Sequence, residues 1–130
     1  MPDLPPRVPP RIRSNPAPRQ VYWCDFPEDA QLPEMWKRRP VVILSRRPTL
    51  YGVASVVPLT SKSQPDNPLA HPLPDPLGRG GTSWAVCSHL TAVAVSRLGM
   101  AGNRPPKVAP GDFTAILRLV LGTLPELSPD

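Results

Sequence analysis

The sequence predicts one small domain, mainly β, folded as an antiparallel and partly closed barrel with a helix at its C-terminus. Three observations support this fold class. Short β-prone runs recur between residues 21 and 95, separated by turn-forming residues. An apolar stripe at helical spacing follows residue 110. With 130 residues, the chain is long enough for one modest hydrophobic core.

Proline content sets the start of the domain. The sequence has 22 prolines, and seven of them fall within residues 1–18, together with Arg7, Arg11 and Arg13. Proline cannot donate to a sheet ladder and it breaks a helix, so this segment is unsuited to regular structure. We therefore predict a disordered proline- and arginine-rich tail over residues 1–18 and a folded domain over residues 19–125.

The first three predicted strands follow this tail. They cover residues 21–26, 40–45 and 52–59. The second strand contains four consecutive apolar residues, Val41 to Leu44, which predicts that both of its faces are covered. Pro58 predicts an edge or a bulge near the end of the third strand. The connection 27–38 is longer than most loops, so it is a candidate lid over a site.

Later elements are shorter until the helix. Residues 65–82 are rich in proline and glycine, and only an edge strand at 69–73 is predicted there. β character resumes at 83–90 and at 91–95. One apolar face at helical period is formed by Phe113, Ile116, Leu117, Val120, Leu121 and Leu124. Pro110 suits the first helical position, and such a one-sided helix must lie across the sheet.

The charge pattern favours an anionic partner. The net charge is +5, and residues 37–47 contain five cations and no acid. Such a run is typical of a surface that binds nucleic acid, although a solvated basic edge would look the same. No segment approaches the roughly 20 apolar residues that a membrane span needs, so we expect a cytoplasmic protein with no membrane contact.

The two cysteines do not indicate a metal site. Cys24 and Cys87 lie on separate predicted strands, without CxxC spacing or clustered histidines. We predict no metal and no cofactor. Both cysteines are expected to be buried free thiols in a reducing compartment, with a disulfide as the alternative.

Two polar residues are expected to meet at one end of the sheet. The second and third strands should pair antiparallel, which brings Arg39 close to Thr60 although the two are 21 positions apart. A guanidinium beside a hydroxyl, with Lys62 following, is suited to holding a phosphate. The alternative is a surface arginine and a threonine that caps a turn.

Four segments, in this order, resemble the MazF/PemK family of toxins from type II toxin–antitoxin systems. They are residues 21–26 (VYWCDF), 39–45 (RPVVILS), 56–62 (VVPLTSK) and 87–93 (CSHLTAV). The C-terminal amphipathic helix completes the set, and the resemblance covers about residues 19–124.

The resemblance implies an SH3-like barrel of the PemK type that forms a homodimer. It also implies a metal-independent, sequence-specific endoribonuclease that cleaves single-stranded RNA and is blocked by an antitoxin with an acidic segment. The family's arginine before proline falls on Arg39, its threonine at the end of the third strand on Thr60, and its loop glutamate on Glu34. Some members carry an arginine and an aspartate where this chain has Val86 and Ser88.

These departures make His89 a substitute candidate for proton transfer. The predicted catalytic set is then Arg39 for phosphate charge, Thr60 for phosphate positioning, and Glu34 or His89 as acid or base. Predicted RNA contacts are Arg38, Ser61, Lys62, Gln64 and Trp36. Trp36 could stack on a base, or it could be a core or dimer-contact tryptophan.

Two other functions stay open at this point. One is a toxin of the same fold that poisons DNA gyrase, which needs no phosphate chemistry. The other is a non-catalytic SH3-like module that binds RNA.

Overall fold

The computed structural model describes residues 3–128, which form seven β-strands and one α-helix. In chain order these are β1 (Val21–Asp25), β2 (Arg38–Ile43), β3 (Val53–Thr60), β4 (Ala70–Pro74), β5 (Thr82–Val86), β6 (Thr91–Ala94), β7 (Leu98–Gly99) and α1 (Pro110–Leu121). Two 3-10 turns, Cys87–His89 and Val95–Arg97, flank β6. The predicted fold class, mainly β with a C-terminal helix, is confirmed.

The sheet is antiparallel and is organised on β3. Its order is β4-β5-β3-β2-β1-β7, and β6 is a further partner of β3. The long β3 serves three neighbours: Val53–Val56 pair with β6, Val56–Pro58 with β2, and Leu59 and Thr60 with β5. Within residues 3–128 no ladder joins β6 to β7, so the barrel stays open there.

Two hydrophobic clusters cover the two faces of β2. Val41 and Ile43 pack in the first cluster, with Tyr22, Cys24 and Leu98 among their neighbours. Val42 packs in the second cluster, beneath α1. The prediction that both faces of this strand are covered is therefore confirmed.

Helix α1 closes the second cluster. It begins at Pro110, and its buried residues are Ile116 and Val120. His71 of β4 and Asp112 in the first turn approach to 2.9 Å between Nε2 and Oδ1, which ties the helix to the edge of the sheet. The helix ends at Leu121, so the predicted stripe runs three residues too far, and Leu124 is exposed.

Most strand ends differ from the predictions by one or two residues, and three differences affect the description of the site. Strand β2 starts at Arg38, two residues earlier than predicted, because β1 continues to pair with it there. The predicted strand 83–90 ends at Val86, and Cys87–His89 form a 3-10 turn. The two-residue β7 falls in a region that the sequence predicts as a loop.

Part of the predicted tail is packed against the domain. Ile12 is 4% exposed and belongs to the first cluster. The Arg11 guanidinium lies 2.9 Å from the Asp25 carboxylate, and the Leu50 amide donates to the Asn15 side chain at 3.1 Å. These contacts differ from the disorder expected for this part of residues 1–18, whereas residues 3–9 are almost wholly exposed.

Cys24 and Cys87 are buried free thiols, as predicted, and they lie in different clusters. Burial raises the pKa of the Cys24 thiol to about 12 and that of the Cys87 thiol to about 11. Neither thiol is therefore a nucleophile near neutral pH. No helix within residues 3–128 combines the length and the apolar character that a membrane crossing requires.

Candidate active site

The sheet splits at one end, and two predicted catalytic residues lie on the two sides of the split. The β2–β3 ladder ends at the pair Val41–Pro58. Beyond it β2 stays with β1, whereas β3 turns to β5. Arg39 and Thr60 are each two residues past the last pair, so the register places them across the opening from one another.

A tryptophan continues this line of side chains. Trp84 of β5 lies directly opposite Thr60. Because side chains alternate along a strand, Arg39, Thr60 and Trp84 all lie on the same face of the sheet. We call these three residues the sheet-end row. All three are half-buried, so each has surface that a ligand can reach.

The polar members of the row keep free hydrogen-bond donors. The Arg39 Nε group donates to the Trp36 carbonyl at 3.0 Å, and the two terminal amino groups make no hydrogen bond within residues 3–128. Thr60 Oγ1 accepts a hydrogen bond from the Lys62 amide at 3.2 Å, so its own hydroxyl proton is available. The register therefore places a planar fork and a hydroxyl on the same face, on the two sides of the split, an arrangement suited to a phosphate.

Glu34 and His89 meet at a second place. Both line a cavity of about 600 Å³ between the β1–β2 loop and the start of β6. The remaining lining residues are Phe26, Pro27, Asp29, Ala30, Gln31, Met35, Leu90 and Thr91. Arg39 and Thr60 are not among them. The link between the two places is the Trp36 carbonyl, which belongs to the loop that carries Glu34 and accepts from Arg39.

His89 has a partner at each ring nitrogen. Its Nε2 lies 2.8 Å from the Pro33 carbonyl oxygen, and its Nδ1 lies 3.1 Å from Ser88 Oγ. A carbonyl can only accept, so Nε2 carries the proton, and in the neutral ring Nδ1 accepts from the serine hydroxyl. The imidazole therefore fastens the β1–β2 loop to the 3-10 turn.

Glu34 keeps one carboxylate oxygen free. Its Oε1 accepts a hydrogen bond from the Gln31 amide at 2.7 Å, which closes a turn together with the Glu34 amide and the Gln31 carbonyl at 2.8 Å. The side chain is exposed, and Oε2 makes no hydrogen bond within the described chain.

The predicted RNA contacts fall into three groups. Ser61 and Lys62 are exposed directly after Thr60, and Gln64 accepts from the Asn67 side chain at 3.3 Å. Trp36 is 48% exposed, with the Lys37 ammonium 5.0 Å from its ring centre, so it is not a core residue. Arg38 lies on the sheet face opposite to Arg39, because consecutive strand residues point to opposite sides.

The run of five cations is not one patch. Lys37, Arg38 and Arg39 lie at the start of β2, and Arg46 and Arg47 follow its other end. A strand of this length spans about 20 Å, so the two groups are separated by roughly that distance. Of the three cations at the start of β2, Arg39 belongs to the sheet-end row, whereas Arg38 projects to the other face. Among residues 3–128, His, Cys, Asp and Glu side chains form no group of three that could ligate a metal.

The sequence does not predict Trp84 as a site residue. The sequence indicates its strand, and its alternation shows which neighbours share its face, but not which residue of β3 it opposes. That pairing depends on the length of the loop 61–68 and of β4, which propensity does not determine.

Comparisons with known proteins agree with this architecture. The chain is similar to MazF from Deinococcus radiodurans, with 26% identity, a TM-score of 0.62, and coverage of 85% of this chain and 96% of that one. It also resembles the Mycobacterium tuberculosis toxin MazF-mt6, with 23% identity, a TM-score of 0.58, and coverage of 81% and 94%. At the latter identity the likeness concerns the fold.

A third similar structure is an endoribonuclease in complex with its cognate antitoxin from a mycobacterial species, with 19% identity, a TM-score of 0.57, and coverage of 88% of this chain and 100% of that one. No curated protein sequence matches this chain. The family model described as "PemK-like, MazF-like toxin of type II toxin-antitoxin system" matches residues 17–121. That match spans most of the sequence and confirms the predicted resemblance: the chain belongs to the PemK-like, MazF-like toxins of type II toxin–antitoxin systems.

Proposed function

We propose that this toxin is a metal-independent endoribonuclease that cleaves single-stranded RNA at the sheet-end row. The observation that carries the proposal is the pairing of unused donors at the split of the sheet. The Arg39 fork and the Thr60 hydroxyl lie on the same face across the split, on strands that are hydrogen-bonded to β1 and β5. A phosphodiester in this opening would receive charge-assisted hydrogen bonds from one side and a neutral one from the other.

The proposed chemistry uses the RNA's own nucleophile. The 2′-oxygen attacks the adjacent phosphorus, its proton passes to a base, and the bond from phosphorus to the 5′-oxygen breaks. The products are a 2′,3′-cyclic phosphate and a 5′-hydroxyl, whose proton comes from water at this open end of the sheet. Arg39 stabilises the negative charge that builds on the phosphate oxygens, which is usually the largest contribution in such sites.

We assign the base to Glu34. Its free Oε2 is exposed beside the loop cavity, where a carboxylate oxygen can accept the 2′-proton. Both nitrogens of His89 already have partners, so we assign His89 the positioning of the loop that carries Glu34. The hydrogen bond from Arg39 to the Trp36 carbonyl keeps that loop next to the row.

Recognition of bases is assigned to aromatic side chains near the row. Trp84 offers half-buried ring surface directly beside Thr60, and Trp36 offers exposed ring surface on the adjoining loop. Stacking on an aromatic ring accepts any base, so sequence preference would come from the polar loop that begins with Ser61 and Lys62. Lys62 would also attract the RNA backbone.

Partners follow from the family. One similar structure is a MazE–MazF complex from Deinococcus radiodurans, and another shows an endoribonuclease with its antitoxin. We propose that this chain likewise forms a homodimer and that an antitoxin with an acidic segment inhibits it in the cytoplasm. The positive charges of Arg39 at the split and of Lys37 just before β2 are complementary to such a segment.

One experiment separates this function from the two alternatives. The purified protein is incubated with a long single-stranded RNA in the presence of EDTA. Discrete cuts with 5′-hydroxyl ends support the ribonuclease. Intact RNA with retarded mobility supports a binding module, and intact RNA without retardation together with inhibition of purified gyrase supports a gyrase poison.

Variants locate the activity. Arg39→Ala and Thr60→Ala should each abolish the discrete cuts. Arg46→Ala is the matched control, because it removes an exposed arginine beyond the other end of β2. Cutting that survives in Arg39→Ala would move the chemistry away from the sheet-end row.

A further inference from the structure

Two arginines lie close to the ring of Trp23, on the sheet face opposite to the row. Trp23 pairs with Pro40, so its ring projects to the other side from Arg39. The guanidinium carbon of Arg38 lies 5.3 Å from the centre of the Trp23 ring, and that of Arg79 lies 5.8 Å from it. Both distances are within the range of cation–π attraction. We call these three residues the arginine–tryptophan cluster.

The loop that carries Arg79 has a defined conformation. The Asp75 carboxylate accepts from the Gly80 amide at 2.6 Å, and the Asp75 amide donates to the Gly81 carbonyl at 3.0 Å. Gly80 and Gly81 have φ values of +83° and +93°, which other residues rarely adopt. Leu77 anchors the same loop in the second hydrophobic cluster. The loop therefore holds the Arg79 backbone in a defined position from which its side chain reaches the Trp23 ring.

The neighbouring backbone makes room for Arg38. Gly99 of β7 lies opposite Trp23, and a Cβ atom placed there would be only 3.4 Å from Arg38 Nη2. The Arg38 guanidinium therefore extends across β1 as far as the β7 backbone, beside the indole.

Both guanidinium groups are free of acidic partners. The ion pairs within residues 3–128 are Arg11–Asp25 and His71–Asp112. Asp25 is the acid opposite Arg38 in the ladder, but its carboxylate is held by Arg11 at 2.9 Å. Arg38 and Arg79 are both exposed. Asp25, Glu28 and Asp29 line a cavity together with Arg38, but within residues 3–128 neither Arg38 nor Arg79 makes an ion pair. The cluster therefore presents two unpaired guanidinium groups and a half-buried aromatic ring.

We propose that the arginine–tryptophan cluster is a second binding site for single-stranded RNA, outside the cleavage site. The inference rests on the proposed function for its substrate class. A base stacks on the outer face of the Arg79 guanidinium, which itself lies over Trp23, and the flanking phosphates pair with Arg38 and Arg79. An acidic peptide would pair with the two charges but has no base to stack on the Arg79 guanidinium plane.

The geometry also gives the RNA a path between the two sites. Arg38 and Arg39 are consecutive residues on β2 and project to opposite faces of the sheet. A strand held by Arg39 at the split can pass over the start of β2 and continue to Arg38 on the other face. Longer substrates would therefore gain affinity that short ones cannot obtain.

Binding of uncleavable RNA tests the site. The probes are single-stranded oligonucleotides of about 6 and about 16 residues, lengths that span the usual site sizes, with 2′-O-methyl groups that remove the nucleophile. We expect Arg79→Ala to weaken binding of the long probe about 5- to 20-fold, because stacking and one phosphate contact are lost. Binding of the short probe and the unfolding temperature should stay unchanged.

Two further variants sharpen the result. Trp23→Phe should retain most of the affinity for the long probe, because an aromatic ring remains at that position. Arg104→Ala removes another exposed arginine and should leave both probes unaffected. The slope of log affinity against log salt should fall by about 0.7 in Arg79→Ala and not in Arg104→Ala.

Three outcomes would overturn the proposal. In the first, Arg79→Ala lowers the unfolding temperature but binds the long probe like wild type, which means that the cluster stabilises the fold and does not bind RNA. In the second, it loses affinity for poly-glutamate but not for RNA, which makes the cluster a site for an acidic peptide. In the third, Arg79→Ala weakens binding of the short and the long probe by the same factor, so the affinity lost does not depend on RNA length. Tight binding of the long probe by a wild-type protein that cuts no RNA would overturn the proposed function and leave this site standing.

Discussion

His89 donates a hydrogen bond from Nε2 to the Pro33 carbonyl oxygen, 2.8 Å away across 56 positions of the chain. Replacement by glutamine keeps an N–H donor at that distance but removes the titratable ring. We expect His89→Gln to cleave RNA within about threefold of wild type. His89→Ala should lose about 1 kcal/mol of unfolding free energy and most of the activity, because the loop with Glu34 is released. Single-turnover cleavage measures the activity, and urea unfolding measures the stability. A cleavage rate reduced by about 10²-fold or more in both variants would instead make His89 a proton-transfer group.

The planar fork of Arg39 should matter more than its charge. Arg39→Lys keeps the positive charge but cannot donate two parallel hydrogen bonds to a phosphate. We expect kcat to fall on the order of 10²-fold while the salt dependence of RNA binding stays close to wild type. Thr60→Val keeps the shape of the side chain and removes the hydroxyl, so kcat should fall in this variant as well. Wild-type kcat in Arg39→Lys would show that charge alone suffices.

Trp84 should contribute through its ring. We expect Trp84→Leu to weaken RNA binding by about 1–3 kcal/mol and Trp84→Phe to restore most of that loss. Placing an abasic nucleotide at each position of an uncleavable RNA should locate the stacked base, because the penalty of Trp84→Leu disappears where the base is missing. A penalty that never disappears would give Trp84 a purely structural role.

The packed part of the N-terminal segment should contribute to stability. Ile12 is 4% exposed in the first cluster, so Ile12→Ala should cost about 2–4 kcal/mol in unfolding free energy. Val8 is 50% exposed, and Val8→Ala is the matched control with an expected change within about 0.5 kcal/mol. Urea unfolding measures both. Equal, small effects would mean that residues 10–18 are detached in solution.

Alkaline pH should destabilise the protein through Cys24. Burial raises the pKa of this thiol from 9.0 to about 12. Between those values the unfolded chain has lost the proton and the folded chain keeps it, so the unfolding free energy falls as pH rises. We expect wild type to lose stability between pH 9 and pH 12 more steeply than Cys24→Ala does. Urea unfolding at each pH measures the free energy. If it falls equally with pH in wild type and in Cys24→Ala, the prediction is wrong.

The sequence predicts those parts of the fold that depend on local pattern. The four apolar residues from Val41 to Leu44 show that β2 is covered on both sides, and the spacing of Phe113, Ile116 and Val120 locates the helix. The antiparallel connection of β2 and β3 brings Arg39 and Thr60 to the same end of the sheet. These features follow from periodicity and chain direction alone.

Other features depend on contacts between distant segments. Ile12 packs in one cluster with Tyr22 and Leu98, two residues that are far from each other in the sequence and come together only in the folded domain. Likewise, the two-residue strand at Leu98 and Gly99 forms because β1 offers it an edge. Glu34 and His89 line the same cavity because of the path of the β1–β2 loop, which has little regular structure. Composition and periodicity carry no information on such contacts.

The proline-rich strand β4 limits how partners can attach. It is the outermost strand next to β5, and its residues at positions 70, 72 and 74 share one orientation. Pro72 and Pro74 have no N–H group, and the Ala70 amide is taken by the Asn67 carbonyl at 3.1 Å. An extended peptide that docks along this border finds no main-chain donors in that orientation, which prevents strand addition and edge-to-edge aggregation. An inhibitor that approaches the sheet at β4 must therefore recognise side chains rather than add a strand there.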